Sequence, residues 1–208
     1  MTAFVQYIPA AVLGYCLGCV NLAWLLARLR GFDIRSYGSH NAGASNATVT
    51  MGWKAGVTVG VCDIAKSCAA ALLSALLFPA LPCAGVVAGV SAVLGHIFPF
   101  YLRFRGGKGF ASFMGLILAL DWRFFLALVL VVLLVTVLTD YIVVGTLTAI
   151  VSFPAYLATF SQASITAVLV VSAASLAILM KHFINIRRLM AGEEIGLRRT
   201  MSKKDRVS

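Results

Sequence analysis

A short cationic run, RFRGGKG at residues 103–109, has the residue types best suited to binding a negatively charged group. It places Arg103, Arg105 and Lys108 among three glycines, directly after the apolar stretch LGHIFPFYL. Glycine lets backbone N–H groups approach phosphate oxygens, and a helix that begins after Gly109 would add the positive end of its dipole. The run is not a Walker A motif, because that motif has Ser or Thr directly after the lysine. A basic loop that only contacts lipid headgroups would not need the three glycines.

A second polar stretch, GSHNAGASNATVTMG at 38–52, combines glycines with short hydrogen-bonding side chains. Such a segment can turn its own N–H groups inward around an anion. It can equally be a turn-rich connector that caps the helix after it. The residue types suit both interpretations.

A third polar stretch, KHFINIRRLMAGEE at 181–194, begins where an apolar stretch ends. His182 and Asn185 are three residues apart and would share one face of a helix, as would Asn185 and Arg188. The alternative is a basic amphipathic helix that lies on a membrane surface. Upstream, His96 is expected near the cytoplasmic end of a span, where a lone histidine is most simply a hydrogen-bonded packing residue.

The elements that carry these stretches are membrane spans. Hydrophobic residues make up 61% of the 208-residue chain and charged residues only 12%, which is far more apolar surface than a soluble domain can bury. The apolar stretches do not alternate with the period of a membrane β-strand, so the sequence predicts an all-α integral membrane protein. The predicted spans include residues 4–27, 55–77, 83–101, 141–160 and 165–180.

The cations predict the orientation of the chain. Fifteen of the seventeen Lys and Arg residues fall within 28–54, 103–108 and 181–206. Short loops rich in Lys and Arg stay in the cytoplasm, so we expect an external N-terminus and a cytoplasmic C-terminus. Residues 109–180 must then cross an even number of times, and four crossings give seven spans where two would give five. We favour seven, with the piece after Lys108 too short to span unaided.

The second predicted span contains two charges, Asp63 and Lys66. Charges at membrane depth are costly and normally paired, and an i, i+3 spacing puts these two on one helix face. We interpret them as a structural ion pair, with contact to a substrate as the alternative.

Together, the three polar stretches resemble the acyl-phosphate:glycerol-3-phosphate acyltransferase (PlsY) family of bacteria. The family pattern reads roughly GSGNxGAxNxxR, then GHxFPxxLxFxGGKG, then HxxNIxRLxxGxE. This chain has GSHNAGASNATV, GHIFPFYLRFRGGKG and HFINIRRLMAGEE in the same order, within the segments 38–52, 95–109 and 181–194. DIAK at 63–66 is also similar to the family's second span. The resemblance implies one polytopic domain over residues 1–208.

The resemblance implies an enzyme of the bacterial cytoplasmic membrane with about seven transmembrane helices and an active site on the cytoplasmic face. Its reaction moves a fatty acyl group from acyl phosphate to the 1-hydroxyl of glycerol 3-phosphate and gives lysophosphatidic acid. No cofactor or metal is expected. The expected partners are the two substrates and membrane lipid. Nucleic acid is excluded, because the cations lie at membrane loops.

The resemblance also implies roles for individual residues. Ser39 and the glycines around Lys108 would hold phosphate oxygens, and Lys108 would neutralise their charge. His182 and Asn185 would orient the acceptor or the reacting carbonyl, which makes these four the expected catalytic residues. The expected substrate-binding residues are Gly38, His40, Asn41, Gly43, Asn46, His96, Arg105, Gly106, Gly107, Gly109, Arg188 and Glu194.

The sequence leaves the proton acceptor and the acceptor alcohol open. No histidine is followed five residues later by aspartate, so either His182 is the general base or the departing phosphate takes the proton. His40 and Val49 stand where the family has Gly and Arg, and the missing Arg looks like an anion ligand. A divergent enzyme that acylates another phosphorylated alcohol is therefore an alternative, as is a non-catalytic lipid-phosphate carrier.

Overall fold

The structure, a computed structural model, describes residues 2–194, 196 and 198. Within this part of the chain all regular secondary structure is helical, as the composition predicts for an all-α membrane protein. Part of the basic segment 181–206, namely residues 195, 197 and 199–206, lies outside the described residues. The α-helices are α1 (Thr2–Val5), α2 (Ile8–Cys19), α3 (Leu22–Leu29), α4 (Ala44–Met51), α5 (Trp53–Leu77), α6 (Ala84–Ile97), α7 (Phe110–Leu120), α8 (Trp122–Thr139), α9 (Ile142–Thr159) and α10 (Ile165–Met190).

In the described residues, six segments are long and apolar enough to cross a membrane, and α7 is shorter. With 11 residues, α7 measures about 16 Å, roughly half of a bilayer's hydrocarbon core. This agrees with the expectation that the piece after Lys108 is too short to span alone. Asp121 separates α7 from α8, where its carboxylate caps α8 through Arg123 N and accepts a 2.5 Å hydrogen bond from Tyr156 of α9. The count of seven spans stays a prediction.

The predicted first span, over residues 4–27, corresponds to a candidate span over Ile8–Leu29, but that span consists of two helices. The chain leaves helical geometry at Val20 and Asn21, between α2 and α3. Asn21 is extended and its side-chain oxygen accepts from Trp24 N, which makes it the N-cap of α3. The break therefore coincides with a buried polar residue whose side chain caps the helix that follows.

The helix α2 packs closely on α6 through small residues. A side chain at Gly14 would collide with the backbone of Ala88, and one at Gly18 would collide with that of Ala92. Gly95 in turn faces the backbone of α2 at Tyr15 and Cys19. Small residues let membrane helices approach closely, so this pair fixes the end of α6, and the glycine loop after it, against the break in the first span.

Candidate active site

A buried charged cluster lies beneath the glycine loop 105–109. Lys66 Nζ lies 2.7 Å from Asp63 Oδ1, so the predicted ion pair is confirmed, and His96 Nδ1 lies 3.2 Å from the same oxygen. Lys66 also donates to the Val20 carbonyl at 2.7 Å, one of the carbonyls that the helix break leaves without an intrahelical partner. His96 is only 3% exposed. The cluster thus joins α5, α6 and the break between α2 and α3.

The glycines of the loop allow close packing on the end of α6. Gly106 N donates to Ile97 O at 3.1 Å and Gly107 N donates to His96 O at 3.0 Å. A Cβ at Gly106 would collide with the His96 carbonyl, and one at Gly107 would collide with His96 Nε2. Gly109 has a φ of 93°, a conformation that favours glycine. This differs from the expectation for Gly106 and Gly107, because their N–H groups bind carbonyls instead of facing an anion.

Lys108 projects from this loop into a chain of polar side chains. Its Nζ donates to Asn185 Oδ1 at 2.6 Å, and Asn185 Nδ2 donates to Glu194 Oε1 at 2.6 Å. The second carboxylate oxygen of Glu194 is buried and has no hydrogen-bond partner among the described residues. Burial lowers the pKa of Lys108, and Arg188 adds to this effect while Glu194 opposes it. The fold therefore brings three predicted residues together from two distant motifs.

His182 lies on α10, three residues before Asn185, and is 6% exposed. Its Nδ1 lies 2.9 Å from the carbonyl of Ile178. Since a carbonyl only accepts, we assign the proton of the neutral ring to Nδ1, which leaves Nε2 as an acceptor. A ring held in this way can accept a hydrogen bond from an alcohol.

Asn46 shapes the first polar stretch from inside. It is fully buried, its Oδ1 accepts from Ser39 N at 2.9 Å, and its Nδ2 lies within 3.0 Å of the carbonyls of Ile34, Tyr37 and Asn41. Because backbone groups of the protein occupy both atoms of its side-chain amide, Asn46 acts as a positioning residue. These contacts also support the interpretation of 38–52 as a turn-rich connector.

The first polar stretch also meets the glycine loop. Ala42 N donates to Gly106 O at 3.4 Å, and Asn21 Nδ2 donates to Ala42 O at 3.0 Å. Gly38, with a φ of 57°, lies against the Asn46 side chain, and Gly43 is the N-cap residue of α4. Ser39 and Asn41 are half-buried beside them.

The two positions that depart from the family pattern have different surroundings. His40 is exposed and has a φ of 55°, where glycine is the most comfortable residue, so the family's glycine has a backbone explanation. Its Nδ1 lies 3.1 Å from Arg35 O. Val49 is half-buried on α4, three residues after Asn46.

The sequence reasoning missed an ion pair between Asp33 and Arg35, which lies just before the first polar stretch. Arg35 donates to Asp33 Oδ1 at 3.0 Å and to Asp33 Oδ2 at 2.8 Å, and its Nη1 reaches Leu102 O at 2.9 Å. The hydrogen bond from Arg35 lowers the pKa of Asp33. The sequence Asp-Ile-Arg at 33–35 could have indicated this pair, because it puts opposite charges two residues apart. Arg105 lines a cavity beside this pair, and Arg188 is exposed on α10.

The described residues contain no group of three His, Cys, Asp or Glu side chains that could hold a metal ion. What the site offers is a half-buried ammonium, an amide, a carboxylate and an imidazole, gathered where the glycine loop meets the end of α10. Such a set can neutralise an anion and accept a hydrogen bond from an alcohol.

The chain is similar to proteins of one family over most of its length. A family model described as glycerol-3-phosphate acyltransferase matches residues 8–192. Glycerol-3-phosphate acyltransferase 1 of Oceanobacillus iheyensis is 35% identical over 205 residues, which cover 95% of this chain and 98% of the relative. Glycerol-3-phosphate acyltransferase of Thermoanaerobacter pseudethanolicus is 37% identical over 188 residues, covering 90% and 93%.

Solved structures agree with this similarity. The crystal structure of PlsY (YgiH), an integral membrane glycerol 3-phosphate acyltransferase, in its glycerol 3-phosphate form matches with a TM-score of 0.85 and 29% identity, covering 92% of this chain and 95% of that one. Its lysophosphatidic acid form matches with a TM-score of 0.83 and 28% identity, covering 94% and 98%.

Proposed function

The chain belongs to the glycerol-3-phosphate acyltransferase family, and from this premise we propose that it acylates the 1-hydroxyl of glycerol 3-phosphate with acyl phosphate as donor. The product is lysophosphatidic acid. The single observation that best supports this function is the Lys108–Asn185–Glu194 chain, which holds a half-buried ammonium at the glycine loop, next to the part of α10 that carries His182. Both substrates carry phosphate, and the donor carries an apolar chain, so a cationic site at the end of membrane spans suits them.

The reaction needs positioning more than covalent chemistry. The acceptor hydroxyl oxygen attacks the acyl carbonyl carbon, the bond from that carbon to the phosphate oxygen breaks, and inorganic phosphate leaves. Because phosphate is a good leaving group, electrostatic stabilisation and orientation can supply most of the rate enhancement. The hydroxyl proton goes either to the departing phosphate or to Nε2 of His182. We favour the phosphate.

The roles of the site residues follow from their contacts. Lys108 would neutralise phosphate charge, with Glu194 and Asn185 fixing where its ammonium lies. Nε2 of His182 would accept a hydrogen bond from the acceptor hydroxyl. Ser39 would add a hydroxyl donor from the first polar stretch. Asn46 and His96 act through the backbone segments that they hold, since both are buried in contacts with protein.

We place this site on the cytoplasmic face of the membrane, because the basic segments flank it. Single cysteines on a Cys-free background test this by thiol labelling of intact cells. Suitable positions are Tyr37, Arg105 and Glu193, all exposed. Gly106 is unsuitable, since a side chain there would collide with the His96 carbonyl. We expect all three to resist an impermeant reagent, and labelling of any one would contradict the orientation.

Activity is tested with purified protein, palmitoyl phosphate and a panel of phosphorylated polyols, with the acylated products identified by mass spectrometry. We expect lysophosphatidic acid from glycerol 3-phosphate, and at least a hundredfold less of it per unit time from the Lys108→Ala variant. Val49 in place of the family arginine supports one second candidate, acylation of a different phosphorylated alcohol. Product from another polyol only would establish that candidate, and no acylated product from any polyol would contradict both.

A further inference from the structure

A cavity of about 480 Å³ lies at the end of α3. The side chains of the candidate active site, namely Lys108, His182, Asn185 and Glu194, do not line it. Its walls come from α3, the loop after it and residues 101–105. The charged side chains in the walls are Arg28, Asp33, Arg35, Arg103 and Arg105. Four guanidinium groups therefore face one carboxylate, which gives the cavity an excess of positive charge.

The arginines of the cavity are partly preorganised. Asp33 and the Leu102 carbonyl hold the Arg35 guanidinium through hydrogen bonds of 2.8–3.0 Å. Arg28 stacks over the Trp24 ring, with its guanidinium carbon 5.4 Å from the ring centroid. Arg103 is exposed at the rim. A planar guanidinium that is already held loses less freedom when it binds phosphate, and arginine matches phosphate geometry in two-point hydrogen bonds.

A second cavity, of about 400 Å³, adjoins the first and is lined mainly by apolar side chains of the first span and the segment after α6. The two cavities share Trp24 and Tyr101, whose rings meet edge to face with centroids 5.6 Å apart. The Tyr101 hydroxyl donates to Cys19 O at 2.8 Å, which fixes this shared wall. Aromatic rings with one polar edge suit the boundary between water and lipid.

We propose that these adjoining cavities bind a lipid that carries a phosphate monoester on a single acyl chain. The phosphate lies among Arg28, Arg35 and Arg103, and the chain lies past Trp24 in the apolar cavity. The excess of arginine favours a dianionic headgroup over a zwitterionic one, which brings its own cation. Lysophosphatidic acid is such a lipid, so these cavities would hold a lipid of the same class as the proposed product, outside the candidate active site. Only the statement that this lipid is the product of the enzyme rests on the proposed function. Binding of the lipid to the cavities can be measured without any turnover.

The fluorescence of Trp24 provides a direct test. Replacement of the exposed Trp53 and Trp122 by Phe leaves Trp24 as the only tryptophan. The protein in lipid nanodiscs is titrated with lysophosphatidic acid whose chain carries bromine, a contact quencher. The control lipid has the same brominated chain on phosphocholine. We expect saturable quenching by the phosphate lipid and at least tenfold weaker quenching by the choline lipid. Equal quenching by both lipids would overturn the proposal.

Variants separate this site from the catalytic one. Arg28→Gln and Arg103→Gln should each raise the half-saturating lipid concentration about tenfold, since each removes a charge-assisted contact. Arg30→Gln is the matched control, because Arg30 is exposed but bonds to Met51 O instead of lining the cavity. Lys108→Ala should leave the quenching unchanged. Loss of quenching in Lys108→Ala, or no effect of either cavity variant, would contradict a separate site.

Inorganic phosphate distinguishes a lipid site from a site for free phosphate. It should displace the brominated lipid only at concentrations at least a hundredfold higher than unlabelled lysophosphatidic acid, because it gains nothing from the apolar cavity. Displacement at equal concentrations would show that the headgroup pocket alone binds, and would overturn the lipid assignment.

Discussion

The ammonium of Lys66 lies 3.0 Å from Nδ1 of His96, and on the other side of that histidine Nε2 abuts Gly107. The His96 ring therefore lies between the Lys66 ammonium, which is inside a membrane span, and the loop that carries Lys108. The same ammonium binds Asp63 and the Val20 carbonyl. The buried cluster thus supports the glycine loop from below, and its energetic role can be tested without touching the proposed catalytic residues.

We predict that Asp63→Asn destabilises the protein strongly, and that Asp63→Leu combined with Lys66→Met destabilises it less. The single change leaves a buried ammonium without its carboxylate, which costs about 3–5 kcal/mol, whereas the double change leaves no unpaired charge. Apparent melting temperature in detergent is the measurement. Arg198→Gln is the control, because its pair with Asp140 is 82% exposed on the arginine side and should matter little. Additive losses in the double variant would contradict a coupled pair.

The sequence predicted the membrane spans, the Asp63–Lys66 pair and the short piece after Lys108, because each depends on local composition or helical spacing. It did not predict the break at Asn21, since the apolar run continues on both sides and the residue's partner, Ala42, is distant in sequence. It also could not decide what the glycines do. Glycine suits a loop that binds an anion and a loop packed on carbonyls equally, and only the fold places His96 against Gly107.

Lys108→Ala should lower kcat/KM by about 10²–10³-fold, the loss typical of a preorganised donor, while the melting temperature stays near that of the parent. Lys108→Arg keeps the positive charge and should recover part of the rate. The recovery should be incomplete, because a wide planar guanidinium replaces a compact ammonium in a narrow loop. Steady-state kinetics with purified protein provide the measurement. Lys54→Ala, an exposed lysine beside Trp53, is the matched control. Retention of most activity in Lys108→Ala would refute its role.

The pH dependence of turnover should show an alkaline limb that Lys108 sets. Burial lowers the pKa of this ammonium, so the charge is present at low pH and is lost at a lower pH than for a lysine in water. The rate should therefore fall as pH rises through this lowered pKa. Lys108→Arg, whose guanidinium stays charged, should move the limb to higher pH or remove it. An unchanged limb in Lys108→Arg would assign it to another group.

His182 separates the two candidate proton acceptors. If the departing phosphate takes the proton, His182→Gln should keep the rate within about tenfold of the parent, since the amide can still orient a hydroxyl. If His182 is instead the general base, His182→Gln should lower the rate by about 10²–10⁴-fold and remove the acid limb of the pH profile. We expect the smaller loss and an unchanged acid limb. His182→Phe, which cannot hydrogen-bond, should be worse than His182→Gln under either mechanism and serves as the reference.

Val49 tests whether glycerol 3-phosphate is the true acceptor. If this chain simply lacks one family ligand, Val49→Arg should add a charge-assisted contact to the acceptor phosphate, worth about 1.5–3 kcal/mol, and lower its KM by roughly ten- to a hundredfold. The effect should fall on KM more than on kcat, because a phosphate remote from the reacting hydroxyl is bound alike in the ground and transition states. Val49→Met is the control, because it also puts a long unbranched side chain at this position but adds no charge.

His40 decides how a failure of Val49→Arg is interpreted. Its ring is exposed and its Nδ1 lies near Arg35 O, so it occupies space beside the loop where the family has only glycine. If that ring hinders the new arginine, the double change His40→Gly with Val49→Arg should lower the acceptor KM where the single change does not. Kinetics of the parent and both variants distinguish these cases. No improvement with glycerol 3-phosphate in either variant would reject the missing-ligand explanation and favour a different phosphorylated acceptor.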